Sequence, residues 1–136
     1  MIHTTALQVR WYELDPYRHV NHAVYLQYCE VARIEALESV GFAMAEADDA
    51  GLSLVVAELT VKFRAPARFG DRLEVDTWIR ELGRVSSRWR QRIRRADALL
   101  AEVDLRAGAI DRLGRPCRLG AAAQASLQRL VADPTA

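Results

Sequence analysis

Residues 21–41 read NHAVYLQYCEVARIEALESVG, a run without proline that opens on asparagine and closes on glycine. Asn21 can accept a hydrogen bond from an orphaned backbone N–H, and Gly41 suits the left-handed residue that ends many helices. The run is therefore expected to be one long helix. Its apolar positions, Val24, Tyr25, Tyr28, Cys29, Val31, Ala32, Ala36, Leu37 and Val40, make a stripe much wider than a two-residue seam, while Gln27, Glu30, Glu35 and Glu38 stay polar. Such a helix should be mostly wrapped by other structure.

The flanking sequence supplies the wrap. Upstream, residues 5–12 carry Leu7, Val9 and Trp11 at every second place, and downstream the period is again two in residues 52–63, 72–81, 85–95 and 99–110. Between these runs stand Pro66 with Gly70 and Asp71, then Gly83, then Ala96 with Asp97; Asp111 with Gly114 and Pro116 follow the last. Short joints imply antiparallel neighbours, so the expected fold is α+β, with an antiparallel five-stranded sheet wrapped around one long central helix. Residues 44–50 suit a short helix or loop, and residues 120–131 a small terminal helix with Leu127, Leu130 and Val131 inward. The closing ADPTA, residues 132–136, is expected to fray.

Composition narrows the function classes. A length of 136 residues fits a single domain, 1–136, and 51% hydrophobic with 27% charged residues suits a packed core under a soluble surface. Nineteen Lys and Arg against eighteen Asp and Glu give a net charge of +1, so no bulk field draws the chain to nucleic acid or anionic lipid. Cys29 and Cys117 are too few for a disulfide framework and lack zinc-site spacing, which makes the cytoplasm the expected compartment. No basic start precedes an apolar run, and no stretch approaches the ~18 apolar residues of a membrane span.

Arg88, Arg90, Arg92 and Arg94 leave one face of a strand, a pattern that on its own resembles a nucleic-acid stripe. A turn centred near Asp97 sets Arg92 opposite Glu102 and Arg90 opposite Asp104, and one centred at Arg84 sets Asp76 opposite Arg92 and Glu74 opposite Arg94. Cross-strand ion pairs contribute roughly 0.2 to 1 kcal/mol each, so a solvated structural face stands beside the phosphate-reading alternative.

Chemistry concentrates in WYELDPYRHVNHAVY, where Glu13, Asp15, His19, Asn21 and His22 crowd beside a helix start. Helix N-termini present free N–H groups and partial positive charge, which can hold an oxygen that turns negative during attack on a carbonyl. A carboxylate at Asp15 could attack a thioester or deprotonate a water that does. Each residue also has an ordinary use: Asp15 before Pro16 suits a turn, Asn21 a cap, and His19 and His22 a wet surface. Zinc on His19 and His22 with Asp15 would need a further protein ligand and a sheltered outer shell that the sequence does not show. Cys29, mid-helix in the apolar stripe, suits packing better than nucleophilic work.

The run YELDPYRHVNHAVYLQYCEVARIEALESVG resembles the signature of the 4-hydroxybenzoyl-CoA thioesterase-like branch of the hotdog-fold acyl-CoA thioesterases. FRAPARFGDRLEVDTWIRELGRVSS and GRPCRL are similar to its later strands and turns, so the likeness covers about residues 5–120. It implies a hotdog fold and hydrolysis of an acyl or aryl thioester of coenzyme A, which enters as substrate with no separate cofactor. By position, Asp15 takes the family's nucleophile or general base and the His22 N–H its carbonyl-polarising amide, with a side-chain part for His22 in a related branch. Asn21 and Tyr25 match pocket positions, and Arg84, with Arg64 and Arg68, matches the place of residues that meet the coenzyme's phosphates. A glycine is typical before HVN; Arg18 stands there instead. The likeness also implies a homodimer or homotetramer with sheets joined edge to edge and each active site built by both chains. An acyl chain on acyl carrier protein, or a non-catalytic binding module, are the alternatives.

Overall fold

In a computed structural model that describes residues 1–134, the period-two runs form one antiparallel sheet: β1 (His3–Gln8), β2 (Ser53–Phe63), β3 (Arg72–Leu82), β4 (Ser86–Arg95) and β5 (Ala98–Ile110), in the order β1-β3-β4-β5-β2. The helices are α1 (His22–Ser39), α2 (Met44–Asp49) and α3 (Ala121–Gln128). The sheet packs its inner face on α1, the hotdog arrangement that the resemblance implies. Val75, Trp89, Ile93, Val103 and Leu105 meet Tyr25, Tyr28, Cys29, Ala32, Ala36 and Leu37 in one core. Burial pushes the Cys29 thiol up to about 12, which keeps it a neutral, packed group.

A polar pin crosses that core. The buried Gln91 amide donates to the Cys29 carbonyl at 2.8 Å and to the Thr77 hydroxyl at 2.9 Å, while its oxygen accepts from Arg33 at 2.8 Å. A buried amide with all these bonds fixes α1 against β3 and β4, since any slip would leave it unsatisfied.

Three expectations are corrected. The first strand ends at Gln8, because the Glu13 carboxylate accepts from the Arg10 N–H at 2.7 Å and residues Trp11–Glu13 wind into a 3-10 turn, leaving Trp11 exposed. Val31 is exposed as well, since one sheet covers only the face of α1 that carries Tyr25, Tyr28, Cys29, Ala32 and Ala36. The third lies at the far end of the chain. After α3, with Leu127 and Leu130 buried, the chain runs beside β3: Ile79 N–H donates to the Leu130 carbonyl at 2.9 Å and Ala132 N–H to the Ile79 carbonyl at 3.0 Å. Ala132 is thus tied down, while Thr135 and Ala136 lie outside the described residues.

The arginine ladder has the expected register, with Arg92 opposite Asp76 and Glu102, Arg90 opposite Asp104, and Arg94 opposite Glu74. The side chains also reach diagonally. Arg90 holds Asp104 through two bonds of 2.9 and 3.0 Å and Glu102 at 3.0 Å, and Arg94 holds Asp76 at 2.7 Å and Glu74 at 3.2 Å. Arg92 lies 5.0 Å over the Trp78 ring. These contacts favour the structural use of the face. Burial raises the Asp76 carboxyl, but hydrogen bonds from Arg94 and Thr4 outweigh it and hold the group below its ordinary value.

That shift has a definite sign. The native-state value lies below the unfolded one, so the stabilisation is complete above the ordinary carboxylate range and is lost as pH falls through the depressed value. Asp76→Asn is expected to cost about 1.5 kcal/mol at pH 7 in urea unfolding, as a charge-assisted bond does, and the gap from the parent should close in acid. A second expectation concerns Arg18, whose φ of 64° lies in the left-handed region. Glycine relieves that strain but adds unfolded-state entropy, so Arg18→Gly should stay within about 1 kcal/mol of the parent.

Candidate functional site

The loop before α1 is closed by its own backbone. Leu14 bridges Val20, Asp15 N–H donates to the His19 carbonyl at 2.7 Å, and Arg18 N–H to the Asp15 carbonyl at 3.0 Å. Below the loop, the buried Glu13 carboxylate accepts from the Tyr28 hydroxyl at 2.7 Å, and its carbonyl accepts from Asn21 N–H at 2.9 Å. Burial, then the facing Glu13 charge, pushes the Tyr28 phenol well above its ordinary range, so it remains a donor.

Within the loop, Asp15 Oδ1 accepts from Tyr17 N–H at 2.8 Å and His19 N–H at 3.2 Å, an Asx-type arrangement that Pro16 favours. Its Oδ2 has no hydrogen bond from any described residue. At the helix start, Asn21 Oδ1 accepts from Ala23 N–H at 2.9 Å and the Asn21 carbonyl from Val24 N–H at 2.9 Å. The His22 N–H is left with no acceptor among the described residues.

The end of β2 and the irregular segment after it build the opposite wall. Arg64 and Ala65 N–H both donate to the Leu100 carbonyl, at 2.8 and 3.2 Å; Val20 N–H donates to the Ala67 carbonyl at 2.9 Å, and Ala67 N–H to the buried Tyr25 hydroxyl oxygen at 3.0 Å. The Tyr25 phenol is raised, chiefly by burial. Between the walls lies a cleft of about 310 Å³, lined by Asp15, His19, Val20, His22, Tyr25, Phe63, Arg64, Ala65 and Pro66. The Tyr25 and Phe63 rings meet edge to face, with centroids 5.3 Å apart.

The fold thus brings Asp15, His22, Tyr25 and Arg64 to one cleft. Asn21 acts from behind, as the cap. Arg68 is exposed on the turn beyond Pro66, where its N–H donates to Asp71 at 2.9 Å. Arg84 is elsewhere: it occupies the turn between β3 and β4, whereas the cleft lies at the Arg95 end of β4, eleven residues or roughly 36 Å of strand away. Phe63, at the end of β2, and Pro66, in the segment after it, are cleft residues that single-strand periodicity does not reveal, because this wall is set by the Ala67 bonds to Val20 and Tyr25. Among the described residues, no three His, Cys, Asp or Glu side chains group as a metal-ligand set, so His19 and His22 do not join Asp15 in one.

A sequence profile described as Thioesterase superfamily matches residues 17–102. Similar curated proteins include the Arabidopsis thaliana acyl-acyl carrier protein thioesterase ATL3, 47% identical over 54% of this chain and 38% of that one. The Escherichia coli long-chain acyl-CoA thioesterase FadM is 37% identical over 57% and 58%. The Escherichia coli acyl-CoA thioester hydrolase YbgC is 35% identical over 69% and 71%. Against the first five relatives, the chain spans between 38% and 60% of their length. Among solved structures, the Thermus thermophilus protein TT1821 superposes with a TM-score of 0.89 at 35% identity, covering 93% of this chain and 98% of that one. A probable thioesterase from Bartonella henselae gives 0.83 at 27%, covering 88% and 100%. With the profile matched over more than half of its length and YbgC paired over 71% of its own, the chain belongs to the Thioesterase superfamily.

Proposed function

We propose that the protein hydrolyses acyl thioesters, with Asp15 as base or nucleophile and the His22 N–H as the oxyanion donor. The observation that carries this is the pairing, in one cleft, of an unbonded carboxylate oxygen with an unbonded amide at a helix start. The thioester carbonyl oxygen accepts from His22 N–H, where the helix dipole favours the charge that develops. Asp15 Oδ2 takes a proton from water as the water oxygen bonds to the carbonyl carbon. Collapse of the oxyanion then breaks the carbon–sulfur bond, the thiolate leaves, and the proton held by Asp15 passes to it. Direct attack by Asp15 would instead give a mixed anhydride, which water opens to the same acid. Either course draws only on groups of this chain and water, so coenzyme A enters as part of the substrate and no separate cofactor is required.

The preferred carrier is left to two chemistries: coenzyme A, as in the names of FadM and YbgC, or acyl carrier protein, as in that of ATL3. A cytoplasmic setting suits the two unpaired cysteines, and no helix among the described residues is long and apolar enough to cross a membrane.

The reading extends to assembly. β2 is an edge strand whose Val55, Val56, Leu59 and Phe63 are exposed, and a free apolar edge calls for pairing. Antiparallel pairing with the β2 of a second copy, as a homodimer or within a homotetramer, would bring the far end of one sheet beside the cleft of the other. Arg84 of one protomer would then approach the phosphates of a substrate bound in its partner.

Asp15→Asn keeps the side-chain size but removes the base. Its kcat, followed by release of free thiol, is expected to fall at least about 100-fold with KM little changed, the scale of a lost general base. An unaltered rate would remove Asp15 from the reaction.

A further inference from the structure

Every exposed aromatic side chain among the described residues sits at one end of the molecule. Trp11, Tyr12, Tyr17 and Phe69 are between 64% and 82% exposed, and Phe63 lines the cleft beside them. Hydrogen bonds hold the loops that carry these rings side by side. Gly70 N–H donates to the Val9 carbonyl at 3.2 Å, Asn21 N–H to the Glu13 carbonyl at 2.9 Å, and Val20 N–H to the Ala67 carbonyl at 2.9 Å. Rings this exposed protrude from firm loops rather than line a groove. Single apolar residues on a surface need no explanation, whereas a cluster of protruding rings marks a contact surface.

The same end carries unmatched positive charge. Arg18, Arg64 and Arg68 are exposed, and none has an ion-pair partner among the described residues. The acids nearby are engaged: Glu13 is buried against Tyr28 and Arg10, Asp71 is held by Arg95 at 2.7 Å, and Asp15 faces the cleft. A net charge of +1 provides no bulk attraction to an anionic surface, so a local patch has to provide it. Pairing of two copies through β2 leaves this patch open. The sheet order puts β1 and β2 at opposite edges, and Trp11 and Tyr12 follow β1 while Phe69 leads into β3, the strand beside it.

We propose that this end of the protein docks on an anionic lipid surface, with Trp11, Tyr12, Tyr17 and Phe69 seated at headgroup level and Arg18 and Arg68 against lipid phosphates. Trp and Tyr suit that boundary because one part of the ring is apolar and the other meets water, and arginine can lay its stem along the apolar layer while its head stays with the phosphates. Charge and shape decide the occupant. A second copy of the same patch would set arginine against arginine, and a single nucleic-acid strand would need a basic groove that tracks its backbone. Protruding rings on separate turns fit a plane instead, and the negative potential of that plane attracts the unpaired arginines. Docking goes beyond the thioesterase reading and is tested without any thioester. Where that reading also holds, the cleft opens beside the lipid in which a long acyl chain dissolves.

The test uses vesicles of phosphatidylcholine alone and with about 30% phosphatidylglycerol, read by cosedimentation and by tryptophan emission. At low salt the protein should bind the anionic vesicles at least about tenfold more tightly than the neutral ones, and about 0.5 M salt should remove most of that difference. Binding should move the emission to the blue. Trp78 and Trp89 are 3% and 2% exposed, so the shift belongs to Trp11 and should vanish in Trp11→Phe, which keeps a ring and still binds. Phe69→Ser should weaken binding to both vesicles about fivefold, and Arg18→Gln should weaken it on the anionic vesicles alone. Phe69→Ser should still hydrolyse a short, water-soluble thioester at the parental rate, which separates docking from the thioesterase reading. Absence of vesicle binding overturns the proposal, as do equal binding to both vesicles, an emission shift that survives Trp11→Phe, and displacement from vesicles by millimolar glycerol phosphate. Tighter binding of a single-stranded RNA that Phe69→Ser weakens would assign the patch to nucleic acid, and a change of oligomeric state in Phe69→Ser would assign it to a second copy; either overturns docking on lipid.

Discussion

Ala67 is held through both its N–H and its carbonyl, and the shape of the cleft depends on it. Its carbonyl accepts from Val20 N–H at 2.9 Å and its N–H donates to the Tyr25 hydroxyl at 3.0 Å. Val20 ends the loop that carries Asp15, and Tyr25 lies in the first turn of α1, so one residue after β2 sets both parts of the site against the sheet. Because Tyr25 is buried, losing the Ala67 bond would strand its hydroxyl in the core, at a cost of about 1 to 3 kcal/mol. That penalty keeps the helix start, the Asp15 loop and the cleft wall in one arrangement without a bound ligand.

The sheet solves a different problem with the same economy. Four arginines on one strand face would repel one another if they were alone. Antiparallel neighbours alternate acids with them, and side chains long enough to reach diagonally convert a register of single opposites into two clusters, Arg90 with Asp104 and Glu102, and Arg94 with Asp76 and Glu74. Arg92, between them, also covers the Trp78 ring. A one-residue slip would turn the arginines into the core, so the charges reinforce the register that the buried Ile93, Gln91 and Trp89 demand.

Much of this was legible in the sequence, for identifiable reasons. Asn21 and Gly41 bracket α1 because capping chemistry is local, and the charge register of β3, β4 and β5 follows from counting back from two turns. Asp15 and His22 are legible as neighbours because only the closed loop from 15 to 19 separates them. What depends on three-dimensional placement was not. Trp11 fits the strand period but leaves it because Glu13 captures the Arg10 amide, and Ala132 looks like tail but pairs with Ile79. Val31 belongs to the apolar stripe by composition, yet a single sheet cannot reach that side of α1. Arg84 shows the limit most clearly, since a hairpin turn has no sequence mark that says which end of the sheet will hold the cleft.

The choice of asparagine at the helix start has its own logic. Asn and Asp cap helices about equally well, each accepting from a first-turn amide as Asn21 does from Ala23. An aspartate there would add a second negative charge beside Asp15, where the proposed mechanism puts an oxyanion against the His22 N–H. Opposing charge at that point would raise the barrier that the helix dipole lowers. The neutral amide ends the helix equally well and leaves the developing charge without a competitor. Arg18, on the same loop in a strained backbone position, adds a cation on the favourable side of that balance. The local electrostatics therefore favour one carboxylate, one free amide and a positive surround, the combination that a weak oxygen base needs when its leaving group is a thiolate.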